Sequence, residues 1–351
     1  MIVRPAASTE LNGGDTVVYR RLAEYLGRHA DLDTLELRRL PRVSHALNLF
    51  RGLPPEVGGY FGASNRARLA EALARRRYDA IVFAHEATFP LSADCRPGQA
   101  RKIFFSHNVQ SVIAESESSL LGPMMRPLAK AFDRRWCADP EATIICISRA
   151  DVDGMRRIGA RRPDVQTAPP GAPPSVALQP GATVLPELVL TGSYGWWRKR
   201  RDLKHFAEGA PLAYPILTSD PTALAVLQGQ ARAVKADEVD WSAGLRFGLI
   251  TDRFQGGFKL KSLEYVAVNA VVLSSCDLSR EFEGLPHAEE FVRFVSSKQE
   301  VASAVEEIRR QPVADILGRF QAFKAACMDR YTWDRCLEPF GRALEAPGSG
   351  A

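Results

Sequence analysis

No run in this 351-residue chain approaches the roughly 20 consecutive apolar residues that a membrane span requires. The opening residues Met1-Ile2-Val3-Arg4-Pro5 lack the apolar core of an export signal. Cysteine is sparse and scattered: the six residues Cys95, Cys137, Cys146, Cys276, Cys327 and Cys336 form no Cys-x-x-Cys pair and no cluster with histidine. That spacing speaks against a disulfide framework and a zinc site, and for a reducing compartment. A dominant charge of one sign is also missing, since the formal net charge of +5 is too mild to indicate a nucleic-acid partner. Also absent is the Gly-x-Gly-x-x-Gly that a dinucleotide oxidoreductase places after a strand. These absences leave a cytoplasmic enzyme as the expectation.

What remains is ordinary globular material, 25% charged and 46% apolar, long enough for two domains with their own cores. Short apolar runs alternate with helical patterns, the signature of parallel α/β units. In the first half the strand candidates are Ile2–Val3, Asp33–Leu37, Ala80–Ala84, Lys102–Phe105 and Thr143–Ile147. Helical patterns cover Asp15–His29, Ser64–Arg76 and Leu120–Trp136. Proline crowds Pro163–Pro186, a stretch that breaks regular structure and reads as an interdomain crossing. A second series follows with Leu188–Thr191, Tyr214–Thr218, Leu245–Ile250, Ala270–Ser274 and Phe291–Val295. Helical patterns at Lys298–Arg310, Val313–Met328 and Thr332–Glu345 close the chain.

One segment carries most of the chemistry. In Gly256-Gly257-Phe258-Lys259-Leu260-Lys261-Ser262-Leu263-Glu264-Tyr265-Val266-Ala267 a glycine pair opens a helix, and the buried run Ala270–Leu273 follows. A helix N-terminus offers free N–H groups and the positive end of a dipole, so it suits an anion. Lys259 and Lys261 add mobile positive charge, and Glu264 falls on nearly the same face as Lys261. Such a set suits a diphosphate joined to a hydroxylated ring. The plainer alternative is an amphipathic helix with its charges in water.

This segment resembles the donor motif of retaining glycosyltransferases of the GT-B fold, family 4 or group 1. Their pattern runs Gly-x-Arg/Lys-x-Lys-x-x-Glu-x-x-Ala, matched here by Gly257, Lys259, Lys261, Glu264 and Ala267. Many members carry a further glutamate where this chain has Gly256. Other stretches match in order. Asn12-Gly13-Gly14 is similar to the family's first glycine-rich loop, for which a plain turn is the alternative. Phe104-Phe105-Ser106-His107-Asn108 places a His-Asn pair at the end of a strand, where open α/β sheets bind ligands. A satisfied, partly buried histidine is the alternative for His107. Ile144–Asp151 is similar to the strand and cap that end the first domain; Asp151-Val152-Asp153 starts a helix and is rejected as a metal motif. Thr191-Gly192-Ser193-Tyr194-Gly195-Trp196-Trp197-Arg198-Lys199-Arg200-Arg201 is similar to the first loop of the donor domain, and its guanidinium groups suit phosphate.

The resemblance implies an α/β GT-B fold, two Rossmann-like domains facing across a cleft, with a C-terminal helix crossing back. Residues 1–175 would form the acceptor-side domain, 176–330 the nucleotide-sugar donor domain, and 331–351 the crossing helix and tail, with Trp333 as packing anchor. It implies a transferase that moves a sugar from a nucleoside diphosphate sugar to a glycan, lipid-linked or small-molecule acceptor, with retention, no metal and no other cofactor. Glu264 would hold the ribose; Lys261, Lys259 and an arginine of the basic run would hold the phosphates; His107 would meet the transferred sugar. Backbone at Gly13, Gly14, Gly192, Ser193, Gly257, Phe258 and Leu260, with the side chains of Arg198 and Lys199, completes the donor site. The alternatives are a catalytically inactive GT-B-like binding subunit and another GT-B enzyme, such as a nucleotide-sugar epimerase. Leu120–Trp136 mixes apolar and basic residues. It is a candidate for peripheral contact with the inner face of the plasma membrane; a helix packing its apolar face on its own sheet is the alternative.

Overall fold

Continuous apolar runs become strands buried on both faces, as parallel sheets demand. The computed structural model describes residues 1–6, 14–96, 98, 100–116, 121–158, 165–235 and 238–345, with backbone alone at 42, 121 and 122. The chain forms two compact units. One comprises Met1–Pro170, Gln255–Phe258 and Trp333–Ala351; the other comprises Gly171–Phe254 and Lys259–Thr332.

The first unit is built on strands β1 (Ile2–Pro5), β2 (Thr34–Leu37), β3 (Ala80–Ala84), β4 (Arg101–Ser106), β5 (Ala142–Cys146) and β6 (Gln166–Thr167). They form a six-stranded sheet in the order β2-β1-β3-β4-β5-β6, and every pairing is parallel. The second unit holds β7 (Thr183–Val189), β8 (Ile216–Thr218), β9 (Ala231–Ala233), β10 (Gly244–Ile250), β11 (Ala270–Ser274) and β12 (Val292–Phe294). Its order is β12-β11-β10-β7-β8-β9, again all parallel. In each sheet the chain first builds outward in one direction and then returns to build in the other. The reversal lies between β1 and β3 in the first sheet and between β7 and β10 in the second. Connections diverge at such a point and leave a crevice at the carboxyl ends of the strands, where ligands bind.

β7 starts earlier than its apolar run, at Thr183, and takes in Pro186 although it is a central strand. The register with β10 shifts there, between Leu245 and Phe247, which relieves a ladder that proline cannot supply with an N–H.

Aromatic residues anchor both cores. In the first unit Phe89 stacks on Phe104 at 4.8 Å and packs against Trp136 at 4.7 Å. In the second, Phe291 stacks on Phe323 at 5.6 Å, with Phe320 edge-on to it at 5.1 Å. Each such side chain contributes about 1.5–3 kcal/mol of burial.

The helix Leu121–Cys137 turns Ala129, Phe132 and Trp136 inward. Most of its cations are held by the first unit itself. Arg126 donates to the carbonyls of Ala114 and Glu115, Lys130 pairs with Glu115 at 3.0 Å, and Arg134 donates to Ile158 O. Asp133, on the inner face, accepts from the backbone N–H groups of Ser111 at 2.7 Å and Gln110 at 3.3 Å. It thus satisfies the start of the helix Gln110–Ser116. Burial pushes its carboxyl up to about 7.

The C-terminal helix Trp333–Glu345 belongs to the first unit, where Phe340 meets Phe105 edge-on at 5.0 Å. Trp333 is not its anchor. That residue is half-buried with the Arg21 guanidinium over its ring, whereas Leu337 and Phe340 are the buried side chains. Helical spacing sends positions 336, 337, 340 and 343 inward and leaves 333 at the margin.

Candidate functional site

At the reversal point of the second unit, β7 runs out into Leu190-Thr191-Gly192-Ser193, and β10 leads to the helix Leu260–Ala267. Tyr265 joins the two strand ends: its buried hydroxyl donates to Leu249 O at 2.9 Å and accepts from Thr191 N at 3.0 Å. Gly248 makes room for that ring, since a Cβ there would lie 2.2 Å from Tyr265 Cγ. Gly192 has φ +85°, and a Cβ on it would stand 2.5 Å from Lys261 Cε. Glycine suits the turn by its positive φ, and the flexible end of Lys261 fills the space beside it. Lys261 Nζ donates to Tyr194 Oη at 3.2 Å and lies 4.4 Å from that ring's centroid. Lys259, the residue before the helix, sets its ammonium 3.7 Å over the Phe254 ring. Both cations rest on aromatic faces, which hold positive charge without neutralising it.

Glu264 sits one turn on. Its residue surface remains exposed, yet the protein around it raises the carboxyl pKa by desolvation, opposed by Lys261 and then Lys199. The basic run divides its duties. Arg198 stacks over Trp196 and Trp197, Arg200 donates to Gly195 O, and Arg201 pairs with buried Asp202 at 2.9 Å. Ser193 caps the turn by accepting from Gly195 N. One member of this set escapes sequence reading: Asp252, just past β10, is 4% exposed and its Oδ1 has no hydrogen-bond partner.

The reversal point of the first unit is different in kind. Gly13 lies outside the described residues; Gly14 opens the helix Gly14–Gly27. Asp15, next along, has Oδ1 2.9 Å from His107 Nδ1. A carboxylate only accepts, so Nδ1 carries a proton, and in the neutral ring Nε2 is the acceptor. That Nε2 is buried and unpartnered, as are Tyr19 Oη and Glu86 Oε2. The Tyr19 and His85 rings lie 5.0 and 5.4 Å from the His107 ring. His85 ends β3 at φ +99°, a conformation that costs a non-glycine residue energy and is kept where the surroundings dictate it. Glu86 also accepts from Gln110 Nε2 at 3.0 Å.

Gln255–Phe258 belongs to this unit as well. Gly257 N donates to Asp151 at 3.1 Å and Gln255 N to Ser116 Oγ at 3.0 Å. Asp151 is capped in turn by Ser148, and burial raises its pKa to about 6. Asp153 pairs with Arg156 at 3.4 Å. Gly256 has φ +110° and Gly257 φ +64°. At Gly256 a Cβ would lie 3.0 Å from Ile113, so a side chain there would be strained.

No protein-family model matches the chain. No curated protein matches its sequence either. Solved structures do. Sucrose-phosphate synthase from Thermosynechococcus elongatus superposes with a TM-score of 0.67 at 14% identity, covering 97% of this chain and 97% of that one. HepE of Anabaena, solved with UDP and glucose, gives 0.63 at 11% over 99% of each chain. A UDP-forming α,α-trehalose-phosphate synthase from Burkholderia xenovorans, solved with glucose-6-phosphate, gives 0.62 at 11%, over 98% of this chain and 99% of its own. The fold is GT-B. Its two Rossmann-like sheets carry the candidate residues on one edge each: Gly192, Ser193, Lys259, Lys261 and Glu264 on the second, Gly14 and His107 on the first.

Proposed function

We propose that the chain is a glycosyltransferase that takes a sugar from a nucleoside diphosphate sugar, with retention and without a metal. The observation that carries this is Lys261 seated against Gly192 at the reversal point of the second sheet. Lys259, Lys261 and Lys199 would neutralise the diphosphate, and Glu264 would accept from a ribose hydroxyl. The raised pKa of Glu264 suits a carboxylate awaiting a hydrogen-bond donor. Structures of similar fold were solved with UDP and glucose and with UDP-2-fluoro glucose, which supports a nucleotide-sugar donor.

In the first unit His107 would accept a hydroxyl of the transferred sugar through Nε2, and a small or lipid-linked hydroxyl compound would be the acceptor. The bond from the anomeric carbon to the phosphate oxygen breaks as the bond to the acceptor oxygen forms. The acceptor's proton passes to the departing phosphate, and the lysines stabilise the charge that develops there. The second reading, a donor-binding subunit without turnover, draws on Gly256, where a carboxylate is lacking.

A thermal-shift screen against UDP-, GDP-, ADP- and dTDP-sugars tests the donor class, and the best hit should be consumed with EDTA present. Glu264→Ala should weaken that nucleotide by about 1.5–3 kcal/mol, the worth of a charge-assisted hydrogen bond. No response to any nucleotide-sugar would end the transferase reading. Binding without consumption for any acceptor would favour the second.

A further inference from the structure

The helix Arg42–Phe50, which follows β2 in the first unit, is built inside out. Its inward residue is polar: Asn48 is 1% exposed and donates to Gly58 O and Phe61 O, both at 2.7 Å. His45 Nε2 lies 3.2 Å from Leu40 O, again toward the protein. Its outward residues are apolar. Val43, Leu47 and Phe50, spaced on one stripe, are 72%, 58% and 92% exposed. A helix that spends its polar side chains on anchorage and shows water a valine, a leucine and a phenylalanine is not hiding from a partner; such patches mark interaction surfaces.

The surroundings select the partner. From position 38 to 55 the sequence holds Arg38, Arg39, Arg42 and Arg51 and no acid. Arg38, Arg39 and Arg51 have no carboxylate partner among the described residues, and Arg51 donates to Asn48 Oδ1. Buried Asn65 fixes the loop before the helix by accepting from Arg38 N at 3.0 Å and donating to Arg38 O at 2.8 Å. An apolar stripe bordered by arginines that meet no described carboxylate matches an anionic lipid surface, where side chains enter the acyl boundary and guanidinium groups meet phosphate. A second copy is the poorer match, because face-to-face pairing would bring like charges together. The helix rises from the carboxyl end of β2, on the sheet edge that carries Asp15 and His107, and neighbouring Tyr60 senses both Arg39 and Asp15.

We infer that the exposed face of Arg42–Phe50 docks the first unit on an anionic bilayer and so presents its sheet edge to a membrane-held hydroxyl acceptor. The acceptor clause rests on the transferase reading; the docking does not.

Co-sedimentation of the full chain with phosphatidylglycerol–phosphatidylcholine vesicles tests it. Partition should exceed that on phosphatidylcholine alone, and Leu47→Ser with Phe50→Ser should reduce it at least about tenfold. Arg39→Gln with Arg51→Gln should lower it less and flatten its salt dependence. Met124→Ser with Arg135→Gln, on the helix Leu121–Cys137, should leave it unchanged. If the double serine variant loses thermal stability, Phe50→Ser alone serves, since that side chain touches little of the protein. No partition of the wild type at low salt overturns the inference, as does partition that ignores Leu47 and Phe50. A self-association that the serine pair abolishes, with no lipid binding, assigns the face to a second copy instead. Partition is read without donor, so its failure is distinct from failure of the transferase reading.

Discussion

At the reversal point of the first sheet a buried histidine is set against an exposed acid. At that of the second, ammonium groups stand on aromatic faces, with Glu264 one turn beyond Lys261. Asp15 meets His107 Nδ1, and His107 Nε2 is buried with no hydrogen-bond partner. Lys261 and Lys259 set their ammonium groups over the rings of Tyr194 and Phe254. On the proposed reading the same topology would serve two kinds of ligand: neutral hydroxyl groups on the first edge, a polyanion on the second. What distinguishes them is the set of side chains at the strand ends, since both sheets are parallel and both reverse beside their first strand.

The sharpest way to break this contrast is His107→Ala. If His107 meets the transferred sugar, turnover should fall by about 10²-fold or more while nucleotide affinity holds, as for loss of one positioned hydrogen-bonding group. Steady-state kinetics with the donor found by screening, paired with direct titration of nucleotide, reads both quantities. A loss confined to nucleotide affinity would merge the two edges into one anion site.

A smaller effect probes the glycine loop of the first unit. Gly257→Ala would place a Cβ 2.8 Å from His107 O, a backbone atom with little freedom to yield, at φ +64°. Overpacking and strain together should cost about 2–3 kcal/mol. Gly209→Ala, at φ +78° with open space around it, should cost only about 1 kcal/mol. Thermal unfolding of the two variants separates close approach from conformation; equal losses would mean that the loop is not pinned against His107.

The weakest expected signal is a pH dependence. Asp133 and Asp151 have folded values raised by burial from 3.8 to about 7 and about 6. The folded state then holds protons that the unfolded state has released. Their contribution is fully present below about pH 4 and is lost as the pH rises through about 7. Urea midpoints measured between pH 4 and pH 8 should fall across that window, and Asp133→Asn should flatten the fall even if it lowers stability throughout. A midpoint that rises across the window contradicts these assignments.

Much of the fold was legible because parallel strands leave continuous apolar runs. Ala80–Ala84 and Ala270–Ser274 match their strands end to end, and the doubly wound pattern follows from the alternation. The short edge strands β6 and β9 leave no such run, and β7 hid behind its proline. The helix Arg42–Phe50 went unread because its apolar stripe marks an outer face, where periodicity normally marks an inner one. At the candidate site, local order was legible in part: the glycine turn at Gly192 and the helix carrying Lys261 and Glu264 are present, while Gly257 and Phe258 belong to the first unit. Tyr19, Glu86 and Asp252 were not, since only the folded sheets bring Tyr19 beside His107, Glu86 against Gln110 and Asp252 near Tyr194, and no spacing along the chain announces that.

The central claim is that the second edge, and not the first, holds the nucleoside diphosphate. Calorimetric titration of the screened nucleotide into wild type, Lys261→Ala and His107→Ala tests it most directly. Loss of Lys261 removes a charge-assisted contact worth about 1.5–3 kcal/mol, so affinity should fall about tenfold or more, while His107→Ala should bind as wild type does. Unchanged affinity in Lys261→Ala, or a comparable fall in His107→Ala, would contradict the account.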